Sequence, residues 1–102
     1  MVTVAAGSGF GGKPRPALVL QSDDYQGLST VELALFTTDL TGAKLRPLMQ
    51  ANPHNGLLKP SELMVDVLVT VRREKVGEVI GRLNDDEMYR AEVSLRNFLD
   101  LS

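Results

Sequence analysis

Residues 7–23 read GSGFGGKPRPALVLQSD, and this stretch is the most informative about the fold. A glycine-rich loop runs into two prolines that bracket Arg15, and an apolar segment of strand length follows. Each proline fixes its own φ and favours extended geometry in the residue before it, so Arg15 is predicted to stand at the start of a strand. A planar guanidinium held there suits a phosphate, but a plain loop-to-strand junction with a solvated arginine explains the local sequence equally well.

Outward from this stretch, short β-prone segments separated by turns dominate the chain. Val31, Leu33 and Leu35 alternate with less apolar neighbours, which is the two-residue period of a strand. Residues 23–27 and 52–56 are dense in turn formers. The predicted strands are Val2–Ala5, Pro16–Ser22, Thr30–Thr37, Leu45–Met49, Leu63–Val71 and Glu78–Ile80.

The C-terminal segment changes to a helical period. An apolar stripe at three- and four-residue spacing consists of Met88, Ala91, Leu95, Phe98 and Leu99. Asn84 stands where an N-cap belongs, and Glu87 three residues later completes a capping box. We therefore predict the α+β class, with a small antiparallel sheet or partial barrel, one C-terminal α-helix packed across it, and residues 1–102 as a single domain.

Composition excludes several functional classes. The 102 residues contain no cysteine and one histidine, so disulfides, thiolate chemistry, zinc-finger patterns and a histidine pair within one subunit are excluded. No leader and no apolar run of membrane-spanning length is seen, so a cytoplasmic protein is expected. The net charge is −2, but eight of the eleven basic residues precede residue 76. A basic face for a polyanion and scattered solubilising charge are both compatible with that distribution.

Three further positions could carry chemistry. Thr37 and Thr38 end an apolar strand, where their hydroxyls could bind a phosphate oxygen or satisfy the backbone at the strand end. Asp66 interrupts an apolar run, so its carboxylate must be paired or face a groove, with Arg15 or Arg72 as the expected partner. A structural ion pair and a site role are both open for Asp66. His54 is interpreted as a loop residue.

Taken in order, these residues resemble the MazF/PemK family of toxins over essentially the whole chain. The likeness rests on the glycine-rich loop with Lys-Pro-Arg-Pro, the strand that ends in Phe-Thr-Thr, the strand that carries Asp66, and the Leu-Asn-Asp-Asp-Glu-Met helix start. The resemblance implies an SH3-like sheet with a C-terminal helix, usually as a homodimer. It also implies metal-independent, sequence-selective cleavage of single-stranded RNA, without a cofactor, held in check by a cognate antitoxin.

Carried over residue by residue, the resemblance assigns catalytic roles to Arg15, Thr37 and Asp66. We hypothesise that Asp66 orients Arg15. The expected RNA-binding residues are Phe10, Gly12, Lys13, Thr38, Lys44 and Arg46, with Lys59 and Tyr25 as further candidates. Lys13, Arg15, Lys44 and Arg46 are expected to line one groove for the RNA. An antitoxin is expected to place an acidic, initially disordered tail in that groove.

Two alternatives belong to other functional classes. The fold also resembles the CcdB family, which poisons DNA gyrase by protein–protein contact through a C-terminal tripeptide containing tryptophan. This chain ends in Leu99-Asp100-Leu101-Ser102 and contains no tryptophan. A non-catalytic module that only binds an antitoxin is the third possibility. Cleavage of single-stranded RNA in EDTA distinguishes the ribonuclease from both.

Overall fold

A computed structural model of the chain describes residues 1–4, 15–20 and 27–100. A short 3-10 turn, Arg73–Lys75, separates the last two strands. The helix α1 spans Asp85–Leu99. The strands are β1 (Val2–Val4), β2 (Arg15–Val19), β3 (Thr30–Thr37), β4 (Leu48–Met49), β5 (Ser61–Arg72) and β6 (Val76–Val79).

Within the described residues, the six strands form one sheet in the order β4-β5-β3-β2-β1-β6, and every neighbouring pair is antiparallel. β3 lies between β2 and β5, with Leu33 opposite Val19 on one side and Val69 on the other. The α+β prediction, an antiparallel sheet with a C-terminal helix, is therefore confirmed.

Both faces of the sheet carry apolar clusters. One cluster includes Phe36, Leu63 and Val65, and Ala91 of α1 is buried within it. The other includes Val31, Leu33 and Leu35 and has Val69, Val71 and Val76 packed against it. Consequently residues 33–36 of β3 are all buried, although the sequence pattern predicts a strand with one apolar face.

The pairing of β3 with β5 contains a register shift. Ala34 lies opposite Leu68, but Phe36 lies opposite Leu63. Between these two pairs, β5 contains four residues, 64–67, whereas β3 contains only Leu35. Such a bulge bends a strand and releases residues from the regular ladder. Asp66 lies in this segment, which explains how an otherwise apolar strand tolerates a carboxylate.

The helix begins as the sequence predicts. The Asn84 side chain accepts a hydrogen bond from Glu87 N at 2.7 Å, and Glu87 Oε1 accepts one from Asn84 N at 2.9 Å. This reciprocal capping box satisfies two backbone donors that the first turn leaves without helical partners.

The bounds of β2, β4, β5 and β6 differ from the prediction. β4 contains only Leu48–Met49, because the chain before it turns with Arg46 N donating to Ala43 O at 3.0 Å. β5 extends from Ser61 to Arg72, and β6 begins earlier than predicted, at Val76. β2 begins at Arg15, one residue before the predicted start, and ends at Val19, because Leu20 is no longer in the strand. The predicted extensions of β1 to Ala5 and of β2 to Gln21 and Ser22 lie outside the described residues.

The β4 edge of the sheet is closed by the helix. Arg90 of α1 donates from Nη1 to the carbonyl oxygen of Leu48 at 2.6 Å. In the part of the chain that the structure describes, no helix is both long and apolar enough to cross a membrane.

Candidate nucleic-acid site

The sheet brings Arg15 and Thr37 to the same end of neighbouring strands. β2 and β3 are paired with Ala17 opposite Leu35, and Arg15 and Thr37 each lie two residues beyond that pair. Because side chains in a strand alternate between faces, both residues share the face of Ala17 and Leu35. The register of the sheet therefore places two of the three residues that the resemblance assigns to catalysis, Arg15 and Thr37, at the same end and on the same face.

A cavity of about 540 Å³ opens at this end of the sheet. Ligand pockets typically have volumes of about 300–1,000 Å³. Its polar lining contains two cations and three hydroxyl residues, namely Arg15, Lys59, Thr3, Thr38 and Ser61. Its apolar walls include Phe36, Leu57, Leu58 and Ile80. Positive charge beside apolar surface suits a nucleotide, because its sugar-linked phosphate is anionic and its base presents a flat face that packs on apolar side chains.

The Thr37 hydroxyl has a defined hydrogen bond at the strand end. Its Oγ1 accepts from Asp39 N at 3.1 Å, as expected for a threonine that satisfies the backbone where a strand stops. That bond uses the oxygen and leaves the hydroxyl hydrogen able to donate to a bound oxyanion. Thr38, the next residue, is exposed and lines the cavity.

The expected partner of Asp66 has to be corrected. Arg46 donates from Nε to Oδ1 and from Nη2 to Oδ2 of Asp66, each at 2.9 Å, whereas the sequence suggested Arg15 or Arg72. Arg72 instead lies 3.9 Å from Glu74. The fork of Arg46 holds the pKa of Asp66 below its ordinary value, and the same hydrogen bonds raise the pKa of Arg46. The register shift in β5 and the turn before β4 create this pairing across twenty residues of sequence.

Glu62 is a buried carboxylate that the sequence analysis did not assign to the site. It is 2% exposed and accepts hydrogen bonds from Thr41 N at 2.9 Å, Thr41 Oγ1 at 2.9 Å and Gly42 N at 2.8 Å. The bond from Gly42, foremost, keeps the pKa of Glu62 below its ordinary value. Glu62 thereby fixes the loop that follows Thr37, and its backbone pairs with Thr37 itself. The sequence did contain a signal for this role, because Glu62 lies at the start of an apolar strand, where a carboxylate requires hydrogen-bond donors.

The cations expected to form one groove lie in two depressions. Arg15 and Lys59 line the cavity just described, whereas Lys44 and Arg46 line a second one of about 690 Å³ that also borders Glu62. The expected contributions of Phe10, Gly12, Lys13 and Tyr25 lie outside the described residues.

A buried polar network supports the wall of the cavity that contains residues 56–59. Asn55 is fully buried, and its Nδ2 donates to Glu87 Oε2 at 2.9 Å and to Gln50 O at 2.9 Å. Its Oδ1 accepts from Leu57 N at 2.9 Å. The glutamate that caps α1 is therefore also the anchor of this wall. The sequence predicted the cap but not the anchor.

The described residues 1–4, 15–20 and 27–100 contain no group of three or more His, Cys, Asp or Glu placed to hold a metal ion. The charged and hydroxyl groups that line the cavity are a guanidinium, a lysine ammonium and three hydroxyls.

Solved structures show which class of fold this is. The chain superposes on the Mycobacterium tuberculosis toxin MazF-mt6 with a TM-score of 0.83 and 26% identity, covering 99% of this chain and 97% of that one. A MazE–MazF structure from Deinococcus radiodurans aligns with a TM-score of 0.78 and 21% identity, covering 99% and 91% of the chains. An endoribonuclease in complex with its cognate antitoxin, from a mycobacterial species, aligns with a TM-score of 0.80 and 16% identity, covering 99% and 93%. The fold is that of MazF toxins.

Sequence comparison gives the family. A probable endoribonuclease MazF from Mycolicibacterium smegmatis is 37% identical over 101 residues, which are 98% of this chain and 93% of that protein. The sequence model of the PemK-like, MazF-like toxins of type II toxin–antitoxin systems matches residues 2–99. The chain belongs to this toxin family, which confirms the resemblance seen in the sequence.

Proposed function

We propose that this protein is the toxin of a type II toxin–antitoxin system and acts as a metal-independent endoribonuclease on single-stranded RNA at selected sequences. One observation carries the proposal. In a chain of the MazF-like toxin family, Arg15 and Thr37 lie at the same end of paired strands, and Arg15 and Thr38 line a cavity that combines cations with apolar walls.

The proposed reaction uses the nucleophile that RNA itself contains. The 2′-oxygen attacks the adjacent phosphorus, the bond from phosphorus to the 5′-oxygen breaks, and the products end in a 2′,3′-cyclic phosphate and a 5′-hydroxyl. The guanidinium of Arg15 donates two N–H bonds to the non-bridging oxygens as negative charge develops on them. The Thr37 hydroxyl donates to the same group.

Proton transfer and phosphate binding are assigned to different groups. An arginine guanidinium is always protonated and cannot accept a proton, and the Asp66 carboxylate is held by Arg46. We therefore assign the 2′-hydroxyl proton to one water molecule, and a second water molecule gives a proton to the departing 5′-oxygen. The salt bridge uses Nε and Nη2 of Arg46 and leaves Nη1 to bind a phosphate of the substrate. Asp66 is accordingly a positioning residue for Arg46.

The family membership also supports proposals about partners. We propose a cytoplasmic homodimer that is inhibited by a cognate antitoxin, whose acidic, initially disordered segment occupies the cationic cavity in place of RNA. Chain copies and antitoxin can be counted by mass measurement of the complex after co-expression with a candidate antitoxin.

Incubation of purified protein with a long single-stranded RNA in EDTA tests the function. We expect discrete cuts at a recurring short sequence, with 5′-hydroxyl ends that a kinase labels without prior phosphatase treatment. Intact RNA, or cleavage that requires a divalent metal ion, would contradict the proposal.

A further inference from the structure

Leu58 is unusual because it is exposed at the mouth of the cavity. Its residue surface is 95% exposed, the highest value among the large hydrophobic residues of the described chain. It lines the same cavity as Arg15 and Lys59. An isolated exposed leucine on a protein surface requires no explanation, but one in a cationic cavity is placed where a substrate can cover it.

The backbone on both sides of Leu58 is anchored. On one side, Leu57 is 5% exposed and donates its N–H to Asn55 Oδ1 at 2.9 Å. On the other, Ser61 Oγ donates to the Lys59 carbonyl at 2.9 Å, immediately before β5. Since Leu57 already occupies the core position, Leu58 is held outwards on a fixed segment. A ligand that packs on it pays little ordering entropy.

Among the apolar residues of the described cavity lining, Leu58 is the most exposed, since Pro16 and Ile80 are only partly exposed and Leu57 is buried. Phe36 is 2% exposed. The exposed aromatics Tyr89 and Phe98 lie on α1 and do not line this cavity. Single-stranded RNA is read by packing splayed bases on side chains while cations hold the backbone. Leu58 beside Lys59 provides both contacts on one short segment.

We propose that Leu58 is a specificity-determining contact, an apolar platform for the base of a nucleotide next to the scissile phosphate. This inference rests on the proposed function. The combination of Arg15 and Lys59 with this platform favours a nucleotide as the occupant.

The test compares wild-type protein with Leu58→Ser and Leu58→Phe. Cut sites are mapped on a long RNA, and kcat/KM is measured on an oligonucleotide that contains the preferred site. We expect Leu58→Ser to lower kcat/KM about 5- to 20-fold and to relax selection at one base position, because packing on a base is lost. Leu58→Phe is expected to retain or improve cleavage.

Leu28→Ser is the matched control. Leu28 is likewise an exposed leucine, at 50%, but it precedes Thr30, whereas Thr37 lies at the other end of β3. We expect this variant to match the wild type in cut sites and kcat/KM, and all variants to unfold at similar temperatures. Wild-type cleavage with an unchanged Leu58→Ser variant would overturn this inference alone. A wild-type protein that leaves RNA intact would overturn the proposed function and the inference with it.

Discussion

Asn55 Nδ2 donates to Glu87 Oε2 at 2.9 Å in the protein interior, while Glu87 Oε1 accepts from the first backbone N–H of the capping box. One carboxylate therefore joins the start of α1 to the segment that carries Gly56, Leu57 and Leu58. Since a half-satisfied buried network is costly, the helix and the cavity wall are coupled in stability.

Replacing Gly56 by alanine should be much more destabilising than replacing Gly42. Both glycines have positive φ, 77° at Gly56 and 75° at Gly42. A Cβ at Gly56 would collide with the carbonyl oxygen of Ile80, whereas one at Gly42 would meet nothing within 4 Å. We expect Gly42→Ala to cost about 1–2 kcal/mol from backbone strain. Gly56→Ala should cost at least about 3 kcal/mol from strain and overlap together.

Denaturant unfolding of the two variants measures that difference. Equal losses in the free energy of unfolding would show that the segment near Ile80 moves aside without cost.

Removal of the Arg15 guanidinium should abolish most of the RNA cleavage without unfolding the protein. We expect Arg15→Ala to lower kcat at least about 100-fold, because a donor aimed at developing charge is lost. Arg72→Ala is the matched control, since Arg72 has a side chain that is 79% exposed and lies at the far end of β5. Single-turnover cleavage rates and melting temperatures should be measured for both. Undiminished cleavage by Arg15→Ala would falsify the catalytic assignment.

Two substitutions separate the contribution of the Thr37 hydroxyl from that of the side-chain shape. Thr37→Val keeps the volume but removes the acceptor of Asp39 N–H and the donor to phosphate. We expect a roughly 10-fold slower cleavage step and a stability loss of about 1 kcal/mol. Thr37→Ser keeps the hydroxyl and should remain close to wild type in both measurements. A valine variant that is less stable but equally fast would assign Thr37 to structure only.

Acid should weaken the protein through Asp66 and Glu62. Both carboxyl groups have pKa values below their ordinary range in the folded state, chiefly from Arg46 for Asp66 and from the Gly42 N–H for Glu62. Their contribution to stability is complete above the unfolded-state pKa of about 4 and is lost as the pH falls through the lowered folded-state values.

The difference in the free energy of unfolding between wild type and Asp66→Asn should therefore be largest above about pH 5 and shrink towards pH 3. Urea titrations at a series of pH values measure it. A difference that is independent of pH would mean that the Asp66 charge does not contribute through Arg46.

Local sequence signals predicted much of the fold. The bounds of β3 and the Asn84–Glu87 capping box depend on neighbouring residues, and both were predicted correctly. The apolar stripe of α1 was correct for Met88, Ala91 and Leu95, which pack on the core, but Phe98 and Leu99 are exposed. β2 begins at Arg15, one residue before the predicted Pro16, so the flanking prolines located the strand start to within one residue. In these segments the local secondary-structure propensity of the sequence agrees with the tertiary structure.

Long-range pairing was not predictable in the same way. The Arg46–Asp66 bridge depends on a register shift in β5, and the Glu62 interactions depend on a loop about twenty residues away. Neither leaves a periodic pattern in the sequence. The assignments of Arg15, Thr37 and Leu58 to steps of RNA cleavage stay predictions until the variants are measured.

The hydrogen bond from Arg90 to the Leu48 carbonyl oxygen protects the β4 edge of the sheet. At β4, a two-residue strand with one acceptor already used offers little backbone for another chain to join. Intermolecular strand addition, and the aggregation that begins with it, is accordingly disfavoured along that side. Substituting Arg90 would expose this edge and lower the highest protein concentration at which the folded toxin stays monodisperse.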